Sequence, residues 1–231
     1  MSLVKDYAEA VEKIFKDTWT TRDGQKVPES ENLGLGNDAV KLDGTVLYAD
    51  LDESTNLVDN YYPEFAAEIY KAYLSCAAKV IRSEGGEITS YDGDRIMAVY
   101  IGESKNTKAA RSALKINYTV TEIINPLIKK HYPSTNYRVK QVVGIDTSDL
   151  FVARTGIRGS NDLVWVGRSA NYAAKLCSLS PDYPSRLTET VYNQLYESLK
   201  YSNDGRSMWE LDGWENINGI RIYRSTWWWS I

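Results

Sequence analysis

Two carboxylates in this chain stand at the ends of apolar, strand-like stretches. Asp50 closes Val46-Leu47-Tyr48-Ala49-Asp50-Leu51, and Asp94 closes Gly85-Gly86-Glu87-Ile88-Thr89-Ser90-Tyr91-Asp92-Gly93-Asp94. If the two strands are neighbours, the acids converge and offer two hard oxygen donors, a ligand set for Mg2+ or Mn2+. A helix starting beside such a pair suits a nucleoside triphosphate, because its first backbone N–H groups attract phosphate. The combination points toward nucleotidyl chemistry. Singly, an Asp at a strand end is more often a turn former or helix cap, so joint occurrence carries the weight.

The elements that must position these acids are legible in outline. A first helix over about 3–18 places Val4, Tyr7, Ala8, Val11, Ile14 and Phe15 on one stripe. Residues 20–43, rich in Gly, Pro, Asn, Asp and Ser, read as a loop or linker. A strand at 44–50 then opens the main domain, so the expected division is 1–43 and 44–231. A helix at 61–83 ends at Gly85-Gly86, and strands at 87–92 and 95–101 flank the tight turn Asp92-Gly93-Asp94. A helix at 106–130 leads to strands at 137–146, 149–154 and 163–166. Helices at 168–179 and 187–199 and a strand pair within 207–226 follow. Strands alternating irregularly with helices imply an α+β fold on a mixed sheet.

Composition removes several function classes. With 231 residues, 43% hydrophobic and 25% charged, the chain is ordinary globular protein, and its net charge of −4 argues against a nonspecific nucleic-acid binder. No apolar run approaches the roughly 18 residues needed to cross a bilayer, and the N-terminus lacks the core of a signal peptide, so a cytoplasmic protein is expected. Cys76 and Cys177 have no metal-ligand spacing and read as buried thiols. One histidine, His131, leaves little room for histidine-based hydrolysis or zinc chemistry. Trp227-Trp228-Trp229 is too short to span a membrane; edge-strand packing or an interface is expected.

Taken in order, four stretches resemble the class III nucleotidyl cyclases over about residues 44–224. They are Tyr48-Ala49-Asp50-Leu51; Gly85-Gly86 with Gly93-Asp94 and Ala98-Val99-Tyr100; Val142-Val143-Gly144-Ile145-Asp146-Thr147; and Val166-Gly167-Arg168-Ser169-Ala170-Asn171-Tyr172-Ala173-Ala174-Lys175-Leu176. The resemblance implies a ferredoxin-like domain working as a head-to-tail homodimer with sites in the groove between subunits. It also implies that Asp50 and Asp94, with the Leu51 carbonyl, hold two divalent ions. The backbone around Asp52 to Thr55, including Ser54 and Thr55, would cradle phosphates. Asn171 and Lys175, at i and i+4 on one helix face, would orient the ribose and stabilise charge at the α-phosphate. The family usually has Arg where Lys175 stands, and Lys lacks the planar fork. Asn218 stands where a phosphate-binding Lys is common, and Arg221 is the nearest substitute.

The departures bear on the substrate. Where adenylate cyclases have Lys and guanylate cyclases Glu, this chain has Ser90; where they have Asp or Thr and Cys, it has Val164. Ser90 reaches less far and Val164 offers no polar edge, so neither purine pattern is present. The chain looks instead like the pyrimidine cyclases of bacterial Pycsar antiphage systems. Their Arg or Tyr followed four residues later by Asp or His is matched by Tyr48 and Asp52. This implies conversion of UTP to cyclic UMP as an alarm signal read by a separately encoded effector, with CTP and cyclic CMP as the alternative. Glu53-Ser54-Thr55 replaces the Gly-Phe-Thr common in the superfamily, and the Glu53 carboxylate must then face solvent. Two other classes stay open: an inactive, nucleotide-binding dimer module, and a diguanylate cyclase, which Gly85-Gly86-Glu87 superficially suggests but Ile88-Thr89 disfavours.

Overall fold

Apolar residues on both faces of one long strand organise the molecule. The computed structural model describes residues 2–214, 217 and 219–231. In chain order it runs α1 (Leu3–Lys16), β1 (Thr20–Asp23), β2 (Asp38–Leu51), α2 (Ser54–Asn60), α3 (Pro63–Ser83), β3 (Glu87–Asp92), β4 (Arg95–Ile101) and α4 (Lys105–Tyr118). It continues with α5 (Asn125–His131), β5 (Gln141–Ile157), β6 (Ser160–Val166), α6 (Arg168–Cys177), β7 (Ser185–Thr188), α7 (Glu189–Asn193), α8 (Glu197–Lys200), β8 (Glu210–Trp214) and β9 (Ile220–Ser225). The strands order as β3-β4-β2-β5-β7-β9-β8, with β1 beside β2 and β6 beside β5. Only β1–β2 and β5–β7 pair in parallel among the described residues. The mixed, mainly antiparallel α+β sheet with flanking helices is as expected.

The period of two along β2 divides its residues between two layers. Leu47, Ala49 and Leu51 pack with Leu57 of α2, with Phe65, Ile69 and Tyr73 of α3, and with Leu114 and Ile116 of α4. Val46 faces the other way, into a cluster with Met97, Val99, Leu150, Val152, Ala170 and Ala173, against which Tyr48 rests. That second layer is α6, which lies unusually close to the sheet. A methyl group on Gly144 would stand 2.2 Å from the Ala173 carbonyl oxygen and 2.6 Å from the Cys177 nitrogen.

One buried ion pair fixes the start of α6. The Asp146 side chain is fully buried, and a lone carboxylate there would be costly. Arg168 donates to it from Nε (3.0 Å) and Nη2 (3.3 Å), and Thr188 from Oγ1 (2.5 Å). Arg168 also donates to the Thr147 carbonyl at 2.9 Å.

Several elements differ from the sequence expectation. The stretch 20–43 holds β1, a 3-10 turn at Ser30–Asn32 and the first six residues of β2 rather than a plain loop. The helix at 61–83 is preceded by a separate α2, broken from α3 where Pro63 takes the first helical position. The helix at 106–130 is α4 and α5 joined by a π-helical stretch, Thr119–Ile124. Strands 137–146 and 149–154 merge into one strand, β5, which starts only at Gln141 and runs on to Ile157, because Thr147 is buried and donates to the Gly44 carbonyl instead of starting a turn. The helix at 187–199 is β7, α7 and α8. The Trp tail packs on α4: the Trp229 N–H donates to the Leu114 carbonyl (3.2 Å), and Asn117 donates to the carbonyls of Thr226 and Trp227.

Gly144→Ala should cost about 1–3 kcal/mol by forcing helix and strand apart, read as a lower urea midpoint. Asp146→Ala should cost about 1–3 kcal/mol in the same measurement, since it removes the acceptor of Arg168 and Thr188 and releases the helix start, while the half-exposed Arg168 guanidinium stays hydrated.

Candidate active site

The end of β2 is where the expected metal acids meet. Asp50 is the penultimate residue of β2, after the pair Ala49 and Ile96, so Arg95 stands opposite it at the start of β4. Arg95 donates to Asp50 Oδ2 from Nε (3.0 Å) and Nη2 (2.5 Å). Burial raises the Asp50 carboxyl pKa, the Arg95 hydrogen bonds oppose that rise, and the charges of Asp94 and Asp92 add to it. Asp94 sits in the β3–β4 turn, allowed by Gly93 at φ +62°. Its Oδ2 is buried and has no hydrogen-bond partner among the described residues.

Two neighbouring acids, one with an orphaned oxygen, fit a hard divalent ion, because a cation supplies the charge the pocket lacks. No cluster of three or more His, Cys, Asp or Glu side chains occurs among the described residues. The protein donor set is therefore the pair, and carbonyl or phosphate oxygens would complete a coordination shell. The Leu51 side chain itself is buried in the core.

Beyond β2 the chain turns through Glu53, which is left-handed at φ 57°, into α2. Ser54 and Thr55 are its first two residues, and no side chain caps them. The Glu53 carboxylate is exposed and lies 3.5 Å from the Lys140 ammonium. Tyr70 of α3 reaches this end of the sheet. Burial raises its phenol pKa, the Asp94 charge adds to the rise, and the Ser54 hydroxyl opposes it.

Ser90 and Tyr48 share a row of the sheet, since both pair with Met97 from opposite sides. Tyr48 is half-buried, its phenol pKa raised by burial, and the Arg95 guanidinium lies 5.9 Å from its ring centre. Lys175 lines an open cleft of about 460 Å³ with Arg95, Ala174, Ser178, Leu179, Trp214 and Ile217. Asn171, one turn earlier on α6, is exposed.

Val164 lies elsewhere in the chain. It pairs with Ala153, and Ala153 pairs with Ala39, eleven residues down β2 from Asp50, while its neighbour Leu163 lines a small pocket with Glu87, Ile88 and Thr89 of β3. Arg221 of β9 is held by Glu189 at 2.9 Å and faces solvent. Asn218 lies outside the described residues. Sequence reasoning missed Arg95, although it directly follows Asp94, and missed the anchoring of α6 by Asp146 and Arg168. Only the pairing of strands shows that Arg95 faces Asp50.

No family model matches the chain. It is 55% identical over 219 residues to a uridylate cyclase of Xanthomonas perforans, covering 94% of each protein. It is 50% identical over 233 residues to a uridylate cyclase of Burkholderia cepacia, covering 100% of each. Its fold matches a bacterial light-regulated adenylyl cyclase with a TM-score of 0.68 at 18% identity, over 83% of this chain and 54% of that one. Identity this high along the whole length, on a fold shared with adenylyl and guanylyl cyclases, makes the chain a member of the uridylate cyclase family.

Proposed function

We propose that this enzyme cyclises UTP to 3′,5′-cyclic UMP and pyrophosphate, in a head-to-tail homodimer that builds two shared sites. The unpartnered, buried Oδ2 of Asp94 beside Asp50 carries the catalytic part of this proposal. Full-length identity to uridylate cyclases supports the choice of base. Asp50 and Asp94, with the Leu51 carbonyl, would hold two divalent ions, Mn2+ or Mg2+. Such ions lower the pKa of the ribose 3′-hydroxyl and neutralise the triphosphate.

The chain's own residues orient the reactants. The 3′-oxygen attacks the α-phosphorus, the bond to the pyrophosphate oxygen breaks, and the hydroxyl proton passes to solvent. Asn171 fixes the ribose for this in-line approach. Lys175 meets the charge that grows on the α-phosphate. The turn into α2, with Ser54 and Thr55, receives phosphate oxygens, and Arg221 leaves Glu189 to meet the terminal phosphates. Tyr48, Ser90 and Val164 shape a base pocket without the purine readers.

Two subunits are required on this account. Asp50 and Asn171 lie on elements that the cyclase resemblance assigns to opposite subunits, so one chain alone would leave each site incomplete. In the cytoplasm, cyclic UMP then acts as the antiphage signal of a separately encoded effector, as in the Pycsar systems the chain resembles. No helix among the described residues is long and apolar enough to cross a membrane.

Asp50→Ala or Asp94→Ala should abolish turnover with an unchanged circular dichroism spectrum, because a lost ligand removes several kcal/mol of transition-state stabilisation. Near-normal product from either variant would refute the metal assignment. Mixing Asp50→Ala with Asn171→Ala chains should restore one intact site per heterodimer; a mixture as inactive as each parent would rule out shared sites. Competition among the four NTPs at equal concentration should give mainly cyclic UMP. Dominant cyclic CMP would keep the class and refute the base, and dominant cyclic AMP would refute the pocket assignment.

A further inference from the structure

Arg95 makes an ion pair that the proposed chemistry does not use. Both of its bonding nitrogens converge on one oxygen, Asp50 Oδ2. One residue earlier in the chain, Asp94 keeps a buried oxygen without a partner. A single positive charge thus serves one acid and leaves the other unanswered. A guanidinium supplies one charge spread over a plane; a divalent ion supplies two at a point that both carboxylates can share.

The guanidinium is also free to leave. Its side chain is 31% exposed, and it borders the open cleft that Lys175, Ser178, Trp214 and Ile217 line. Arg95 begins β4, so its side chain can swing from Asp50 toward that cleft without breaking a strand pair beyond Asp92. The face of Tyr48, 5.9 Å away, already lies beside it.

We infer that Arg95 is a built-in stand-in for the cation: it holds Asp50 while the site is metal-free, and a divalent ion must displace it to bind. This rests on the metal assignment of Asp50 and Asp94 made above. Arg95 is then a positioning residue that sets how much metal the enzyme needs. It keeps the Asp50 carboxylate in place before substrate arrives, and it weakens metal binding by the strength of the ion pair that must be broken. Charge-assisted hydrogen bonds of this kind shift an equilibrium by roughly tenfold to a hundredfold.

The test is direct Mn2+ binding to the nucleotide-free dimer, read as loss of the free-ion signal in electron paramagnetic resonance. Arg95→Gln should bind Mn2+ about tenfold or more tightly than the wild type, and Arg95→Lys should fall between, since it keeps the charge but not the two directed N–H groups. Asp94→Asn serves as the control that removes the site. Equal affinity of wild type and Arg95→Gln, or weaker binding by the variant, would overturn the inference while leaving the metal site standing. If neither binds Mn2+ more tightly than Asp94→Asn does, the metal assignment itself falls, and this inference with it. If Arg95→Gln melts well below the wild type, Arg95→Lys decides alone: tighter binding than wild type supports the inference, and unchanged binding overturns it.

Discussion

The closeness of α6 to the sheet governs what the rest of the molecule can do. A helix normally stands off a sheet by the thickness of its side chains, but here the strand offers no side chain at Gly144, and helix backbone fills the space. Packing alone would let a ten-residue helix slide or rotate on such a smooth contact. The buried Asp146 carboxylate prevents that, because it must keep its bonds to Arg168 and Thr188 to be tolerated at all. Arg168 is the first residue of α6, so the register of the whole helix is set at its start. Asn171 and Lys175 take their positions from that anchor, one and two turns further on.

The sheet then works as a ruler beneath this helix. Ser90, Met97, Tyr48 and Gly144 form one cross-strand row, with Asp50 and Arg95 one step beyond it toward the strand end. Residues in this row keep their spacing because β4, β2 and β5 are held by hydrogen bonds on both sides, with β3 as the edge. The β5–β6 hairpin holds Val164 opposite Ala153 of β5. The hairpin curls over the sheet, since Asp162 and Leu163 of β6 line a small pocket with Glu87, Ile88 and Thr89 of β3.

The parts legible in the sequence were those whose physics is local. β3 and β4 fall where Gly85-Gly86 and Asp92-Gly93-Asp94 demand turns, because Gly93 must take a positive φ. α6 was read from its spacing within two residues of its end. What escaped depends on partners distant in sequence. β7 is only four residues, all buried, and shows no alternation to mark it as a strand. The polar run Thr147-Ser148-Asp149 looks like a break, yet Thr147 is buried and Ser148 bonds Ser169 across to α6. Asp50 and Asp94 were visible as strand-end acids, whereas Arg95 means nothing until β2 and β4 are paired.

The end of β2 is also where the molecule is least settled in its own terms. Asp94 Oδ2, the Tyr73 and Tyr137 hydroxyls and both polar atoms of Gln141 are buried without hydrogen-bond partners among the described residues. Gln141 pairs with Leu51 in the sheet, and the Asp94 charge adds to the burial that holds both phenols neutral. Folding stability alone would not keep so many unsatisfied groups in one place, since each costs about 1–3 kcal/mol. Three further such atoms, Ser185 Oγ, Arg186 Nε and Arg224 Nε, lie on β7 and β9, whereas the buried Thr45, Asn106 and Thr147 are bonded to one another. A concentration of unmet polar demand around two acids is the mark of a pocket shaped for a charged guest rather than for its own stability.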